Sequence, residues 1–397
     1  MYGQSGTVAA GFEPLARQFA KTISAAPGGG ALVVRRRGET LVDIHQGYAD
    51  PYGHVPWTRS TLAISFSTSK GIASTVAHRI AERGELDYDE PVATYWPEFA
   101  AGGKARITVR QLMSHRAGLW SVQAVASKAR DLLDHLAMEE KLAASRPMRV
   151  DHPNYHAITY GWLIAGLLRR VTGRGLNDLV QAELAEPLGT DGLFIGRPAD
   201  RDEDLAELLD PGLRLMRVGR RLSPVLSRLP FTRAFSQAFD VQGFHHLFTG
   251  RDAPVWETEM PAVNGAFTAD ALARLYGVLA NGGEDGGVRL LSRERVDTLG
   301  RVQTRELDGV LGIRMRWRLG YHQALGIGRE APRAFGHYGY GGSGAWADPG
   351  SGISLGFVTN TMGRATTPVA DWRLFRLSGL ARKCARVRPV SPGYRSA

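Results

Sequence analysis

Strand-forming segments stand at the two ends of this 397-residue chain, and helix-forming segments fill its middle. Residues 31–49 contain two runs rich in β-branched residues around an Arg-Gly pair, a pattern typical of a β-hairpin. Residues 343–360 predict a second hairpin that turns at an Asp-Pro-Gly triplet, and the alternating residues 311–321 predict a half-buried strand. We therefore predict an α+β fold with one antiparallel sheet built from the N- and C-terminal segments.

Helix signals flank these strands and dominate between them. Helices are predicted at residues 12–25, 67–84, 155–173 and 367–382. The predicted organisation is a sheet domain made of residues 1–85 and 251–397, with residues 86–250 as a helical domain inserted into it. The cleft between the two parts is then the natural place for a functional site.

Composition limits the environment of the chain. Cys384 is its one cysteine, which excludes an internal disulfide and suits a reducing compartment. The first residues lack the basic start and apolar core of a signal peptide, and no apolar run reaches the roughly eighteen residues of a membrane span. We therefore expect a cytoplasmic protein without a transmembrane segment.

The net charge of +10 does not by itself indicate nucleic-acid binding. The arginines are scattered and no zinc-knuckle, aromatic RNA-binding or basic-zipper pattern accompanies them, so we expect no nucleic-acid partner. Residues 212–235 mix arginines with large apolar residues, which fits a pocket lid, a partner surface or a helix in peripheral contact with a membrane. Residues 384–397 form a basic tail that we expect to be frayed and flexible. The sequence predicts no oligomeric state.

Ser67 and Lys70 form a candidate catalytic pair. Lysine is scarce in this chain, where nearly all of the 49 basic residues are arginines, yet Lys70 stands three residues after Ser67. Such positions share one face of a helix, about 5–6 Å apart at Cβ. A serine hydroxyl needs a base to become a nucleophile, and a buried lysine can act as that base, whereas arginine cannot. The alternative is an N-cap serine followed by an exposed lysine, because the spacing alone also occurs by chance.

Other catalytic motifs are absent from the sequence. It contains no Gly-x-Ser-x-Gly elbow, no phosphate-binding loop and no His-Glu-x-x-His zinc helix. His152 and His156 are four residues apart, but Pro153 lies between them and no glutamate follows, so we expect no metal site. Acyl transfer through a serine needs no metal or organic cofactor, and we expect none.

The segment SFSTSKGIAS, residues 65–74, resembles the nucleophile motif of the serine β-lactamase and penicillin-binding-protein superfamily. Further segments are similar to those of its class C-like branch, in the same order and spacing, at residues 86–119, 152–173, 264–283 and 335–360. The resemblance extends over roughly residues 12–380 and is strongest to the family VIII carboxylesterases and related serine hydrolases. It implies the serine β-lactamase-like fold and hydrolysis through an acyl-enzyme.

The resemblance also implies catalytic residues. Ser67 matches the acylated serine and Lys70 its partner. Tyr155 matches the tyrosine that acts as general base in class C enzymes, and an ammonium on Lys70 is expected to lower its pKa. Tyr160 is the alternative for this role; its position along a helix separates it from Tyr155 by more than a quarter turn, which favours Tyr155.

Substrate-binding positions follow from the same resemblance. Ala157 stands where class C enzymes have asparagine, and His337 stands where they have the lysine of Lys-Thr-Gly, whose glycine matches Gly339. The implied oxyanion hole consists of the backbone N–H groups of Ser67 and Tyr340. Both replacements remove groups that would bind a β-lactam, so they favour simple esters as substrates.

The leading prediction is a carboxylesterase that acts on small-molecule esters through Ser67, Lys70 and Tyr155. A β-lactamase or D-amino-acid peptidase on the same scaffold is the first alternative. A catalytically silent scaffold protein that kept the fold is the second, and the presence of all three residues argues against it.

Overall fold

The computed structural model describes residues 3–209, 230–362 and 371–387. Its strands are β1 (Ser5–Val8), β2 (Gly29–Arg36), β3 (Glu39–Gly47), β4 (Ala63–Ile64), β5 (Leu193–Ile195), β6 (Gly265–Phe267), β7 (Glu284–Asp285), β8 (Val288–Arg289), β9 (His322–Gln323), β10 (Phe335–Tyr338), β11 (Gly344–Asp348) and β12 (Ile353–Thr359). Seven of them form an antiparallel sheet in the order β1-β3-β2-β12-β11-β10-β9. The pairing of β2 with β12 joins the two ends of the chain in the middle of the sheet, which confirms the predicted α+β fold.

Helices cover this sheet and fill the middle of the chain. They are Glu13–Ser24, Thr68–Glu82, Val92–Tyr95, Val109–Met113, His135–Ala144, Thr159–Thr172, Leu176–Val180, Glu186–Leu188, Pro230–Phe239, Ala269–Ala280, Arg293–Leu299 and Trp372–Val387. Short 3-10 turns connect several of them. The predicted strand-poor middle is therefore observed, although the division into two domains stays a prediction.

The two faces of the sheet are covered by different helices, because side chains alternate along each strand. On β2, Leu32 and Val34 belong to the core formed with the helices Glu13–Ser24 and Trp372–Val387. Their neighbours on the other face, including Val33, belong to the core that contains the helices Thr68–Glu82 and Ala269–Ala280. The sheet is thus the middle layer, and the helix that follows Ser67 packs directly on it.

The first hairpin turns where the sequence predicts. A two-residue loop, Arg37 and Gly38, joins β2 to β3, and both residues have positive φ, +47° and +82°. Two left-handed residues match the right-handed twist of the flanking strands, and glycine adopts this conformation without steric cost. The second predicted hairpin is also confirmed, as β11 and β12.

Residues 311–321 do not form the predicted strand. Arg316 has φ +49°, a left-handed conformation that interrupts an extended chain. The alternation follows burial only in part: Trp317 is buried and Ile313 exposed, but Arg318 is buried as well. The guanidinium of Arg318 donates hydrogen bonds to backbone carbonyls, which allows a charged residue to occupy an inward position.

The helix Trp372–Val387 corrects the prediction of a frayed tail for residues 384–387. Cys384 and Ala385 are buried in the core beneath the sheet, and this burial keeps the end of the helix in place. Residues 388–397 lie outside the described residues, as does most of the basic and apolar segment 212–235.

A second, three-stranded sheet leads to the predicted nucleophile. Its strand order is β4-β6-β5, and β4 ends three residues before Ser67. The helix Thr68–Glu82 continues from there and contacts the helix Thr159–Thr172. These connections bring the segments with Ser67 and Tyr155 to one place.

Candidate active site

Ser67 lies in a sharp turn between β4 and the helix Thr68–Glu82. The preceding residue, Phe66, has φ +44°, which is unfavourable for a bulky side chain. Its ring packs against Phe248 and Tyr340 with centroid distances of 5.3 and 5.9 Å, contacts that help to hold the turn. The turn leaves Ser67 at the beginning of the helix and 7% exposed.

Lys70 lies one helical turn after Ser67 and is completely buried. Its Nζ is 2.8 Å from Ser67 Oγ and donates to the carbonyl oxygens of Ala157 at 2.6 Å and Ala262 at 3.4 Å. Burial lowers the pKa of Lys70 well below 10.5, because the apolar surroundings penalise the charged form. The amine is therefore within hydrogen-bond distance of the Ser67 hydroxyl, and its charged form is disfavoured.

Tyr155 approaches Ser67 from the other side. Its hydroxyl donates to Ser67 Oγ at 2.8 Å, and the whole side chain is buried. Tyr155 precedes the helix Thr159–Thr172 rather than lying on it, so the helical spacing used for the sequence argument does not apply. Burial raises the pKa of Tyr155, and the nearby carboxylate of Asp308 acts in the same direction.

Tyr160 points away from the nucleophile. Its hydroxyl is 2.7 Å from Ser74 Oγ, and Ser74 in turn donates to the carbonyl of Lys70 at 2.6 Å. Both residues are buried in the interface between two helices. This geometry favours Tyr155 over Tyr160 as the tyrosine that acts on Ser67.

His337 and Gly339 lie where β10 passes the nucleophile. The ring of His337 is stacked at 6.3 Å from the ring of Tyr155, and its Nε2 has no hydrogen-bond partner among the described residues. A side chain on Gly339 would meet the carbonyl oxygen of Ser65 at 2.1 Å, so glycine is needed for the strand to approach the turn. The glycine therefore serves this backbone contact, and its role in substrate binding stays a prediction.

Four buried histidines lie near Ser67, Lys70 and Tyr155. They are His115, His156, His322 and His337. Burial lowers the pKa of His156 to about 3 and that of His322 to about 4. The pKa values of His115 and His337 are also lowered, first by burial and then by neighbouring positive charge. The rings are therefore neutral at pH 7, so the position of His337 carries no fixed cation.

The residues around Ala157 fix the loop that contains Tyr155. The carbonyl of Ala157 accepts from Lys70, while its methyl group replaces the asparagine side chain of class C enzymes. His156 accepts from the N–H of Leu119 at 3.0 Å and contacts the carbonyl of Asn154 at 2.7 Å. The middle residue of the second motif thus anchors the loop through its side chain.

Sequence reasoning missed Asp308 and Trp317 as parts of this site. Asp308 accepts a hydrogen bond from the backbone N–H of Tyr155, and Trp317 stacks on the ring of Tyr155. Both lie in an irregular part of the chain, where neither periodicity nor a motif indicates a functional neighbour. The alternation of apolar residues around Trp317 indicated that its side chain is buried, but not that it stacks on Tyr155.

Two other kinds of site are absent from the residues that the structure describes. No group of three or more His, Cys, Asp or Glu side chains is arranged to hold a metal ion within residues 3–209, 230–362 and 371–387. Within the same ranges, no helix combines the length and the apolar character needed to cross a bilayer.

Comparison with known proteins gives consistent matches. The family described as Beta-lactamase matches residues 16–379. Esterase/beta-lactamase LipL of Mycobacterium tuberculosis is 44% identical over 347 residues, which cover 84% of this chain and 77% of LipL. Esterase EstB of Burkholderia gladioli is 30% identical over 182 residues, covering 41% of this chain and 45% of EstB.

Solved structures match the whole architecture. A family VIII carboxylesterase is 32% identical with a TM-score of 0.84, covering 96% of this chain and 100% of that protein. A penicillin-binding protein homologue from Caulobacter crescentus has the same identity, coverage and TM-score. The similarity therefore extends over nearly the whole chain, including the sheet and the helices between its strands.

Proposed function

Because the chain belongs to the beta-lactamase family, we propose that it is a serine carboxylesterase that cleaves small esters through an acyl-enzyme on Ser67. The observation that carries the proposal is the position of Ser67 Oγ, which has Lys70 Nζ and Tyr155 Oη each at 2.8 Å. One neighbour can remove its proton and the other can supply one. The relatives named as esterases, LipL and EstB, support the same substrate class.

Lys70 acts as the general base. The backbone carbonyls of Ala157 and Ala262 accept hydrogen bonds from two N–H groups of the amine. A neutral amine then has its lone pair left to accept the proton of the Ser67 hydroxyl, whose Oγ lies 2.8 Å from Nζ. The lowered pKa of Lys70 favours this neutral form, so the base becomes available at a lower pH than an exposed lysine would allow.

Tyr155 acts as the proton donor to the leaving group. Sequence reasoning expected an ammonium on Lys70 to lower the pKa of Tyr155 and to make the tyrosine a base. Burial instead raises the pKa of Tyr155 and lowers that of Lys70, which favours the protonated phenol and the neutral amine. This distribution gives one acid and one base beside the same serine oxygen.

The two groups suffice for both halves of the reaction. Ser67 Oγ bonds to the ester carbonyl carbon while its proton passes to Lys70. The carbon–oxygen bond to the alcohol breaks, the alkoxide takes the proton of Tyr155, and Lys70 returns a proton to the phenolate. Water then attacks the acyl carbon and gives a proton to Lys70. Lys70 passes this proton to Ser67 Oγ as the bond between Oγ and the acyl carbon breaks, which releases the acid and restores the starting state.

Backbone N–H groups of Ser67 and Tyr340 are proposed to bind the oxyanion. Ser67 is at the start of a helix, where N–H groups point out of the helix end. Tyr340 follows β10, and its ring packs edge-on against Phe66 at 5.9 Å, next to the nucleophile. Loss of one such donor typically costs ~3 kcal/mol of barrier stabilisation.

Hydrolysis of β-lactams is the second candidate, because the name of LipL includes it. Two features of this chain disfavour it. Ala157 offers no side-chain donor to a substrate amide, and the buried, neutral His337 offers no cation to a β-lactam carboxylate. A charge-assisted hydrogen bond is worth about 1.5–3 kcal/mol and a neutral one about 1 kcal/mol, so esters should be favoured on the order of a hundredfold.

The proposal is tested by labelling the intact protein with a fluorophosphonate and measuring its mass. We expect one adduct on the wild type, located on Ser67 by peptide mapping, and none on Ser67→Ala. The same preparations are assayed with p-nitrophenyl esters of increasing acyl length. A wild type that neither forms the adduct nor cleaves any of the esters would support a catalytically silent protein and refute the proposal.

A further inference from the structure

Asp308 is a buried carboxylate whose bonds converge on Tyr155. Only 1% of the residue is exposed. Its Oδ1 accepts from the backbone N–H groups of Tyr155 at 3.2 Å, Val310 at 2.9 Å and Leu311 at 2.9 Å. Its Oδ2 accepts from Trp317 Nε1 at 2.9 Å. Within the described residues it forms no ion pair, so these neutral donors hold the carboxylate.

Trp317 connects Asp308 to the ring of Tyr155. The two rings are stacked with centroids 5.2 Å apart and an interplanar angle of 16°. His115 packs against both, at 4.1 Å from Trp317 and 5.1 Å from Tyr155. The backbone of Tyr155 is thus held directly by Asp308, and its ring is held through the indole that the same carboxylate orients.

We propose that Asp308 is a positioning residue for the reaction, which holds the Tyr155 hydroxyl against Ser67 through the Tyr155 backbone and the ring of Trp317. The inference rests on the proposed role of Tyr155 as proton donor. The function of such a clamp is geometric, because a displacement of about 1 Å in a reacting group can cost roughly a hundredfold in rate.

The negative charge of Asp308 adds a second effect on the same tyrosine. The titratable groups that face Tyr155 are Lys70, whose Nζ is 5.1 Å from the ring centroid, His115, His337 and Asp308. The two histidines are neutral because burial lowers their pKa values, and burial also lowers the pKa of Lys70 and disfavours its charged form. Asp308 raises the pKa of Tyr155 and so favours the protonated phenol that the donor role needs.

A double-mutant cycle between Asp308→Asn and Tyr155→Phe tests the inference. Asparagine keeps one acceptor for the backbone N–H groups but turns a donor towards Trp317 and removes the charge. We expect Asp308→Asn to lower kcat/KM for an ethyl ester 10- to 100-fold in the wild type, mainly through kcat. In the Tyr155→Phe background the same substitution should lower it less than about threefold, because the group it positions is gone.

Two further variants keep the test decisive. Asp348→Asn is the control: Asp348 is 2% exposed, accepts from Gly350 N–H and Ser351 Oγ in the turn between β11 and β12, and pairs with Arg382 at 3.6 Å, so its substitution should change stability but not kcat/KM. Trp317→Phe keeps a ring on Tyr155 and removes the Nε1–H. Trp317→Phe should lower kcat/KM less than Asp308→Asn does, and this loss should also shrink in the Tyr155→Phe background. If Asp308→Asn does not fold, Trp317→Phe takes its place in the cycle.

The outcomes separate the positioning role from the proposed function. Equal losses from Asp308→Asn in both backgrounds, or no loss in either, would overturn the positioning role while the function stands. Full activity of Tyr155→Phe with the ethyl ester would overturn the donor role of Tyr155 and the inference with it.

Discussion

Substitution of Tyr155 by phenylalanine should slow ester hydrolysis to an extent that depends on the leaving group of the ester. The change removes one hydroxyl and keeps the ring, so the stacking on Trp317 at 5.2 Å and the contact with His115 remain. What is lost is the hydrogen bond of 2.8 Å to Ser67 and the proton that it carries. The effect should therefore fall on the breaking of the ester bond.

The expected size follows from these contacts. A positioned acid contributes about 10²- to 10⁴-fold to a proton transfer, which corresponds to ~3–5 kcal/mol of barrier. The free energy of unfolding should fall by only ~1 kcal/mol, the typical worth of one neutral hydrogen bond. An ethyl ester leaves as a strongly basic alkoxide and should show the full loss. A p-nitrophenyl ester of the same acid leaves as a stabilised anion and should lose roughly tenfold or less.

The assay compares kcat/KM for the two esters, because this constant reports the acylation step. Tyr160→Phe is the matched control, since Tyr160 is equally buried and its hydroxyl also bonds to a serine, Ser74, at 2.7 Å. It should change thermal stability and leave both constants within about threefold. Equal losses for the two esters in Tyr155→Phe would refute the donor role, and a leaving-group effect in Tyr160→Phe would refute the choice of tyrosine.

Four further predictions concern Lys70 and the substrate. Lys70→Arg keeps a cation but cannot accept a proton, so ester hydrolysis should be nearly abolished; substantial turnover, measured with p-nitrophenyl butyrate, would contradict the base role. For the wild type, kcat/KM should rise with pH as Lys70 loses its proton, with a midpoint well below 10.5; a pH–rate profile that stays flat from about pH 5 to 9 would contradict this assignment. The lowered pKa also means that unfolded Lys70 binds more protons than folded Lys70. The free energy of unfolding of the wild type should therefore increase with pH up to about 10.5, relative to Lys70→Met, in denaturant titrations at several pH values. A p-nitrophenyl ester should have a specificity constant on the order of a hundredfold above that of a chromogenic cephalosporin, because His337 is neutral and Ala157 has no donor; comparable constants would overturn the ester preference.

The parts of the fold that local chemistry determines could be predicted from the sequence. The Arg37-Gly38 turn needs only two left-handed residues between two runs rich in β-branched residues. The segment 311–321 was mispredicted because the left-handed Arg316 breaks the strand and burial follows the alternation only in part, with Ile313 exposed and Arg318 buried. Periodicity shows neither the backbone conformation nor the carbonyl groups that allow Arg318 to be buried.

The site, too, could be predicted only in part. Ser67 and Lys70 are neighbours in sequence, so their spacing predicted that they lie together, and the family resemblance predicted Tyr155. Asp308 could not be found, because its bond to the backbone of Tyr155 joins residues 153 positions apart and involves no side-chain motif. The direction of the pKa shifts was also beyond the sequence, since it depends on burial that only the assembled structure provides.

The pairing of β2 with β12 has a consequence for how the protein is made. The amide of Gly29 donates to Asn360, 331 residues further along the chain, so the centre of the sheet closes only after β12 has been synthesised. Until then β2 presents an open edge, which invites pairing with other chains. The strand β10 with His337 joins the sheet through β11, so it takes its place beside the Ser67 turn only when β12 has closed the sheet. A nascent chain is therefore exposed to aggregation while the more than 300 residues between β2 and β12 are made.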